Sequence, residues 1–171
     1  MMNDEELVEQ CRRGIRTAQK TLYERYSPMM LGVCLRYVPR REEAEDVLHD
    51  AFVKVFSKLY TLKRSQALED WVYHIVVNTA ISRVRRKRIE IITGDELEAE
   101  DMCYEPYDMS ALVQAIGELP DGYRLVFNMR EVEGYAFEEI AKELGVEVVS
   151  VRSTLCRAKK MLQEKLKSYG Y

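Results

Sequence analysis

The chain has 171 residues and a formal net charge of −3, with 47% hydrophobic and 32% charged residues. This balance excludes a disordered chain and is typical of a globular protein with one ordinary domain or two small ones. Only 8 glycines and 4 prolines occur, and this scarcity favours helices over a sheet-rich fold.

The first half of the chain, from about Asp4 to Arg88, is predicted to be a block of helices. Its breaks fall at Gly14, at Ser27-Pro28 and at Pro39, because proline lacks the N–H that continues a helical hydrogen-bond ladder. The predicted helices are Asp4–Arg13, Thr17–Tyr26, Met29–Val38, Arg41–Leu59 and, after a polar turn, a long helix from Ala67 to Arg88.

The predicted helix Arg41–Leu59 has two contrasting faces. Its apolar residues follow the i, i+3, i+4, i+7 spacing of a buried stripe. The opposite face is mainly acidic and carries Glu42, Glu45, Asp46, His49, Asp50 and Lys54. The helix that follows it ends instead in a basic tail made of Arg83, Arg85, Arg86, Lys87 and Arg88.

Residues 89–109, "IEIITGDELEAEDMCYEPYDM", separate the first block from the second. Within them, the segment "DELEAED" has five acidic residues in seven, a density typical of a solvated linker. The sequence therefore predicts two small all-helical domains, 1–88 and 110–171, joined by a flexible acidic linker.

A helix-turn-helix is predicted in the second block, within "GYAFEEIAKELGVEVVSVRSTLCRAKKML". Phe137, Ile140, Ala141 and Leu144 give a short amphipathic helix, and Gly145 provides the turn. On the next helix the apolar side consists of Val151, Leu155, Ala158 and Leu162. At about 100° per residue, the opposite side gathers Val149, Arg152, Ser153, Cys156, Arg157 and Lys160.

The second helix has the division that binding in the DNA major groove requires. Arg recognises guanine edges, whereas Lys, Arg and Ser hold phosphates. A plain surface helix with a solvated basic face is the alternative, and the combination of short helix, Gly turn and basic helix favours DNA binding over it.

No sequence feature indicates catalysis. The chain has no recognisable nucleophile–base pair and no phosphate-binding Gly loop. Its cysteines and histidines lack metal-ligand spacing, which predicts free thiols in a reducing cytosol and no metal or other cofactor. The start "MMNDEELVEQ" is acidic, and no apolar run has membrane-spanning length, so we expect a cytoplasmic protein without membrane insertion.

The two blocks together resemble the extracytoplasmic-function (ECF) subfamily of sigma-70-type bacterial RNA polymerase sigma factors. The resemblance depends on the joint occurrence of "EEAEDVLHDAFVKVF", "EDWVYHIVVNTAISRVRRKR", "ELPDGYRLVFNMREVEGYAFEEIAKELGV" and "VRSTLCRAKKML", in that order. It covers about Leu7–Arg88, which matches the family's region 2, and Ala111–Leu166, which matches its region 4.

For the first block, the resemblance implies two binding roles. Asp46, His49 and Asp50 match positions that dock on the clamp helices of the largest polymerase subunit, although a plain solvated surface is the alternative. The segment "TLKRSQALEDW" matches the loop that captures bases of the −10 promoter element. The implied contacts on this loop are Lys63 and Arg64. The basic track beside it would consist of Arg83, Arg85, Arg86 and Arg88. Trp71 would be a core anchor or a stacking platform, and Asn78 would bind a base or brace the loop.

For the second block, the resemblance implies recognition of the −35 element. The implied contacts are Val149, Arg152, Ser153, Arg157 and Lys160. Val149 would touch a thymine methyl group or simply be tolerated there. Ala136 and Glu147 replace the Ser or Thr that normally caps each helix, and a missing cap costs about 1 kcal/mol.

The resulting prediction is a sigma factor, not an enzyme, that binds core RNA polymerase through the clamp helices and the flap region and directs initiation at promoter DNA. The family also implies an anti-sigma factor as a partner, and no small-molecule substrate. The alternative is an autonomous helix-turn-helix regulator that binds duplex DNA as a dimer, which would leave Arg41–Arg88 without a role. A helical adaptor with merely solubilising basic faces is the third hypothesis.

Overall fold

The computed structural model describes residues 3–87 and 109–170. Over these ranges the chain is all-α, as predicted, and it forms two compact units divided between Arg83 and Val84. The predicted linker lies almost entirely outside the described residues, as does Arg88. Met109, predicted to be the last linker residue, already belongs to a helix.

Four helices run through the first part of the chain: α1 (Asp4–Arg12), α2 (Arg16–Tyr37), α3 (Arg41–Lys58) and α4 (Leu68–Arg86). Two short 3-10 turns, Leu59–Thr61 and Ser65–Ala67, connect α3 to α4. The core forms because each helix buries one apolar face. Its fully buried residues include Leu7, Leu22, Met30, Tyr37, Val47, Val55, Leu68 and Val76.

The predicted break at Ser27-Pro28 is wrong, because α2 continues through Pro28 as one helix. Proline removes a single N–H, which would have bonded to the Glu24 carbonyl one turn earlier. Both Pro28 and Glu24 are exposed, so water can satisfy that carbonyl. Tyr26 and Met30, on either side of Pro28, are buried. Packing of these side chains therefore outweighs the local cost of the proline.

Replacing Pro28 with alanine is expected to stabilise the first unit by about 1–2 kcal/mol. The change restores one helical hydrogen bond and removes a helix-interior proline, while the more flexible unfolded chain offsets part of the gain. Trp71 is the single tryptophan of the chain and lies in the first unit. Its fluorescence during urea unfolding therefore measures the stability of that unit. An unchanged or lower midpoint would contradict this account of α2.

Helices α5 (Met109–Gly117), α6 (Asp121–Phe127), α7 (Phe137–Leu144) and α8 (Val148–Ser168) form the second part of the chain. A π-helical turn, Asn128–Val132, follows α6. The core of this unit is centred on α8 and includes Leu119, Leu125, Met129, Ile140, Leu162 and Leu166. Buried Arg124 holds the turn between α5 and α6, because it donates hydrogen bonds to the carbonyls of Gly117 and Leu119 and pairs with Asp121.

An exposed ion pair joins the ends of α5 and α8. Lys165 donates to the Glu118 carboxylate at 2.9 Å, and Gln114 donates to the same group at 3.2 Å. These hydrogen bonds, that from Lys165 most of all, lower the pKa of Glu118 from 4.5 to about 2. The folded protein thus favours ionised Glu118, and the resulting stabilisation is present above pH 4.5 and is lost as the pH falls towards 2.

Glu118→Gln is therefore expected to destabilise the second unit at pH 7, and the difference from the unmodified protein should disappear near pH 2. Because the pair is exposed, added salt should also shrink the difference. Hydrogen exchange of the α8 amides in mild denaturant, measured across this pH range, reports the stability of the second unit. A difference that persists unchanged in acid would show that the ion pair is not its cause.

Candidate nucleic-acid interface

Helices α7 and α8 form the predicted helix-turn-helix. Gly145 ends α7 with a φ of +69°, a left-handed conformation that glycine adopts without steric cost. The missing cap of α7 is partly replaced, because the Ala136 N–H donates to the Glu139 carboxylate at 2.7 Å. Glu147 occupies the cap position of α8 without a side-chain hydrogen bond. Gly145 therefore forms the turn between the two helices as predicted. Neither helix has a Ser or Thr cap.

The predicted apolar side of α8 is confirmed, since Val151, Leu155, Ala158 and Leu162 are all buried. On the opposite side, Arg152 and Lys160 are exposed, Val149 is 37% exposed, and Arg157 is half-buried. The neighbouring Lys159 pairs with Glu131 at 3.0 Å and so helps to hold α8 to the rest of the unit. The exposed cations of α8 are those that the helical periodicity indicates.

Ser153 is the exception, because the structure buries it where the sequence predicted a solvent-facing hydroxyl. Its residue exposure is only 1%, and Ser150 and Thr154 are buried around the same turns. A helical wheel treats all turns alike, whereas the first turns of α8 are covered on more sides than the later ones. The prediction that Ser153 is exposed to solvent is therefore wrong. Its predicted role as a −35 contact depended on that exposure.

Arg152 is held by an aromatic ring. Its guanidinium carbon lies 4.9 Å from the centroid of Phe137, at the start of α7, and the Arg130 guanidinium carbon lies 4.5 Å from the same centroid. Arg130 also donates to the Tyr135 carbonyl at 2.8 Å. In the described part of the chain, Arg152 has neither a hydrogen bond nor an ion pair. Stacking thus orients its guanidinium and leaves the N–H donors at the edge available for a ligand.

Sequence reasoning placed Phe137 only on an amphipathic face and did not single out Arg130. Phe137 is in fact half-buried, which leaves its ring available for stacking. Residue spacing gave no signal for this contact, because the turn joins the end of the first helix to the start of the second, whereas Phe137 begins the first.

On α3, the acidic face is exposed as predicted at Asp46, His49 and Asp50. The His49 ring is nearly parallel to that of Tyr23, with centroids 6.3 Å apart. Arg83 lies 3.8 Å from the Asp46 carboxylate and 3.7 Å from that of Glu43. These two carboxylates partly neutralise the charge of Arg83. Arg83 therefore offers less positive charge to a DNA strand than an unpaired arginine would.

The loop between α3 and α4 exposes Lys63 and Arg64 between its two 3-10 turns. On α4, Trp71 is half-buried and Asn78 is exposed. Arg85 and Arg86 are exposed on the last turn of that helix, and Arg85 donates to the Glu143 carboxylate at 2.8 Å. Of the predicted −10 residues, Lys63, Arg64, Asn78, Arg85 and Arg86 are therefore exposed, Trp71 and Arg83 are half-buried, and Arg88 lies outside the described range.

Three features of the described residues bear on metal binding, thiol reactivity and membrane insertion. Among the described residues, no group of three or more His, Cys, Asp or Glu side chains could hold a metal ion. Burial raises the pKa of the Cys11 thiol to about 11 and that of Cys34 to about 12, so both thiols are neutral at pH 7. No helix within the described ranges has both the length and the apolar character needed to cross a membrane.

Comparison with known proteins decides the family. The family described as Sigma-70 region 2 matches residues 22–89, and Sigma-70 region 4 matches residues 109–162. RNA polymerase sigma-H factor of Pseudomonas aeruginosa is 31% identical, over 95% of this chain and 93% of its own length. ECF RNA polymerase sigma-E factor of Haemophilus influenzae is 28% identical, over 96% of both chains. This chain belongs to the ECF sigma factors.

Solved structures share the fold of this ECF sigma factor. The sigma factor RpoE of Bartonella quintana, determined in complex with the anti-sigma factor NepR, has a TM-score of 0.51 and 21% identity. That comparison covers 86% of this chain and 96% of the other. CnrH, determined with the cytosolic domain of CnrY, has a TM-score of 0.50 and 20% identity, over 96% of this chain and 97% of its own.

The comparisons favour the sigma factor over the autonomous dimeric regulator. The similarity to sigma factors spans both helical blocks, whereas a regulator of that kind would account only for α7 and α8. The resemblance stated from the sequence is thus confirmed, and so are the all-α fold class and the function of an ECF RNA polymerase sigma factor.

Proposed function

We propose that this ECF sigma factor divides promoter recognition between its two domains and that the residues identified above carry it out. Residues 1–88 would bind core RNA polymerase and the −10 element, and residues 110–171 would bind the −35 element. Residues 89–109 would be the acidic tether between them. The observation that carries the proposal is Arg152, which is exposed, oriented by Phe137 and without a polar partner in the described chain.

The −35 element is bound by the start of α8. Arg152 donates to a base edge in the major groove, where a bidentate arginine contact to guanine is worth about 1–3 kcal/mol of discrimination. Lys160 and Arg157 hold the phosphates, and Val149, which is 37% exposed, lies on the first turn of α8. Ser153 is excluded from this set by its burial. Arg130, stacked on the same ring as Arg152, is added to it.

The −10 element is bound by the loop between α3 and α4 and by the exposed residues of α4. Opening a duplex and extruding a base cost a few kcal/mol, which contacts to the single strand must offset. Three exposed residues are available for these contacts: Lys63 and Arg64 on the loop and Asn78 on α4. Arg86 and Arg88 guide the strand. Arg83 and Arg85 contribute less, because Glu43 and Asp46 lie beside Arg83 and Arg85 pairs with Glu143. Trp71 braces the loop.

Core polymerase binds the acidic face of α3. Asp46, His49 and Asp50 lie on consecutive turns and are exposed. Such a face attracts a basic protein surface and repels phosphates, which separates this role from DNA binding. The clamp helices of the largest subunit are the proposed partner for this face, and the flap region is the partner for the second domain.

The net charge of −3 explains why promoter recognition depends on the polymerase. Affinity for DNA comes largely from phosphate neutralisation, so an acidic chain binds free duplex weakly. Core enzyme holds both DNA-binding domains at one distance, which raises the effective concentration of the second domain once the first is bound. Specificity then belongs to the holoenzyme.

Run-off transcription from a library of random promoters, with core enzyme supplied, tests the proposal. Enriched templates should share two short sequence blocks at one spacing, and the sigma factor alone should retain no specific duplex. Enrichment of one palindrome by the protein without polymerase would contradict the proposal and support the dimeric regulator.

Three further aspects complete the proposed function. We expect the protein to act in the cytoplasm, where polymerase is found, and to contribute no catalytic group of its own. We also propose an anti-sigma factor that covers its polymerase- or DNA-binding surfaces. RpoE, which shares the fold, is described in a complex with the anti-sigma factor NepR.

A further inference from the structure

Arg12, the last residue of α1, reaches across to the loop that carries Lys63 and Arg64. Its Nε donates to the Leu59 carbonyl at 3.3 Å, and its terminal nitrogen Nη2 donates to the Leu62 carbonyl at 2.6 Å. We infer that Arg12 is a positioning residue for the −10-binding loop, an inference that rests on the proposed function. Arg12 lies outside residues 22–89, over which the chain matches sigma-70 region 2.

The loop is anchored on one side by apolar side chains. Leu59 and Leu62 are 2% and 6% exposed, and Leu68, which begins α4, is fully buried. Helix α1 contacts both 3-10 turns, so it borders the loop along its length. Between these turns, Lys63 and Arg64 project into solvent. The buried leucines hold the ends of the loop, and Arg12 holds the backbone immediately before its two cations.

Within the described residues, the Leu62 carbonyl accepts a hydrogen bond only from Arg12, whereas the Leu59 carbonyl also accepts a long one, 3.3 Å, from the Leu62 N–H. The carbonyls at the end of a helix have no partner in the next helical turn, and 3-10 turns have poorer hydrogen-bond geometry than an α-helix. The guanidinium of Arg12 supplies two N–H groups in a rigid fork, which fixes the distance between the Leu59 and Leu62 carbonyls. Capturing a base requires the loop to be in its binding conformation beforehand, because ordering it during capture reduces affinity.

Arg12 acts through the loop and does not itself contact DNA in this proposal. Its neighbour Arg13 provides a matched control, because it is exposed at the same end of α1 and its side chain has no partner among the described residues. Both arginines interact with the same helix dipole and contribute the same charge. A difference between the two positions therefore reports on the hydrogen bonds to the loop.

The experiment uses holoenzyme assembled from core polymerase and the full chain carrying Arg12→Met, Arg12→Lys or Arg13→Met. A promoter obtained from the library selection carries a fluorescent base in its −10 element, so that the rate of duplex opening is measured directly. Core affinity and binding to the −35 element alone are measured in parallel. Hydrogen exchange of the Leu62–Arg64 amides reports on the order of the loop without any DNA.

Arg12→Met is expected to slow opening about tenfold, the loss expected for one charge-assisted hydrogen bond. Core affinity and −35 binding should stay unchanged, and exchange of the loop amides should accelerate while that of α2 does not. Arg12→Lys should recover part of the rate, because ammonium can donate to one carbonyl but not in a fork. Arg13→Met should behave like the unmodified protein.

Two results would overturn the inference while leaving the proposed function intact. In the first, Arg12→Met and Arg13→Met open the promoter at equal rates with equal loop exchange. In the second, Arg12→Met lowers core affinity, −35 binding and opening together, which would indicate a general structural role. If instead the unmodified holoenzyme opens promoters irrespective of the −10 sequence, the −10 assignment itself is wrong, and the inference falls with it.

Discussion

Arg152→Ala is expected to reduce transcription from promoters that require the −35 element by about 10–100-fold, the range for losing one bidentate base contact. Core polymerase affinity should not change, because Arg152 is assigned to DNA and the proposed clamp contacts are on α3. The physical reason is that the Arg152 guanidinium, stacked 4.9 Å from the Phe137 centroid, is already oriented before DNA arrives. Its donors need no large reorganisation to meet a base.

A double-mutant cycle tests the part played by Phe137. Phe137→Leu keeps an apolar side chain but removes the aromatic face, so it should produce part of the Arg152→Ala defect. Adding Phe137→Leu to Arg152→Ala should then cost less than Phe137→Leu alone, because only the part of its effect that acts through Arg130 remains. Promoter binding by holoenzyme and core affinity are measured for all three variants. Equal losses of −35 use and of core binding would show that α8 has been assigned the wrong role.

Asp50→Arg is expected to weaken core polymerase binding by about 10–100-fold, because charge reversal in a complementary interface replaces attraction with repulsion. Asp50 is exposed and has no ion pair within the described ranges, so the change should not disturb folding. It is a cleaner position than Asp46, whose carboxylate lies 3.8 Å from Arg83. Competition between variant and unmodified sigma factor for limiting core enzyme measures the effect.

Glu9→Arg is the control for Asp50→Arg. Glu9 is exposed on α1, and its reversal changes the net charge by the same amount. If both variants lose affinity equally, overall charge and not the α3 face governs the interaction. Unchanged core binding by Asp50→Arg would remove α3 from the proposed interface. Thermal unfolding of each variant separates a binding defect from misfolding.

The helix-turn-helix could be predicted from the sequence because its signals are local. The spacing of Val151, Leu155, Ala158 and Leu162 defines the buried side of α8, and Gly145 marks the turn. The prediction at Pro28 failed because it weighed one missing N–H without the burial of Tyr26 and Met30 around it. The prediction at Ser153 failed because its burial depends on what covers the first turns of α8.

The sequence by itself determined the all-helical class, the acidic and basic faces of α3 and α8, and the resemblance to ECF sigma factors. Only the tertiary structure decided that Phe137 orients Arg152, that Arg83 pairs with acidic residues of α3, and that Arg12 bonds to the loop before Lys63. The reason is physical. Periodicity assigns each residue to a face of its own helix, whereas contacts between distant residues depend on how the helices pack, which no local pattern encodes.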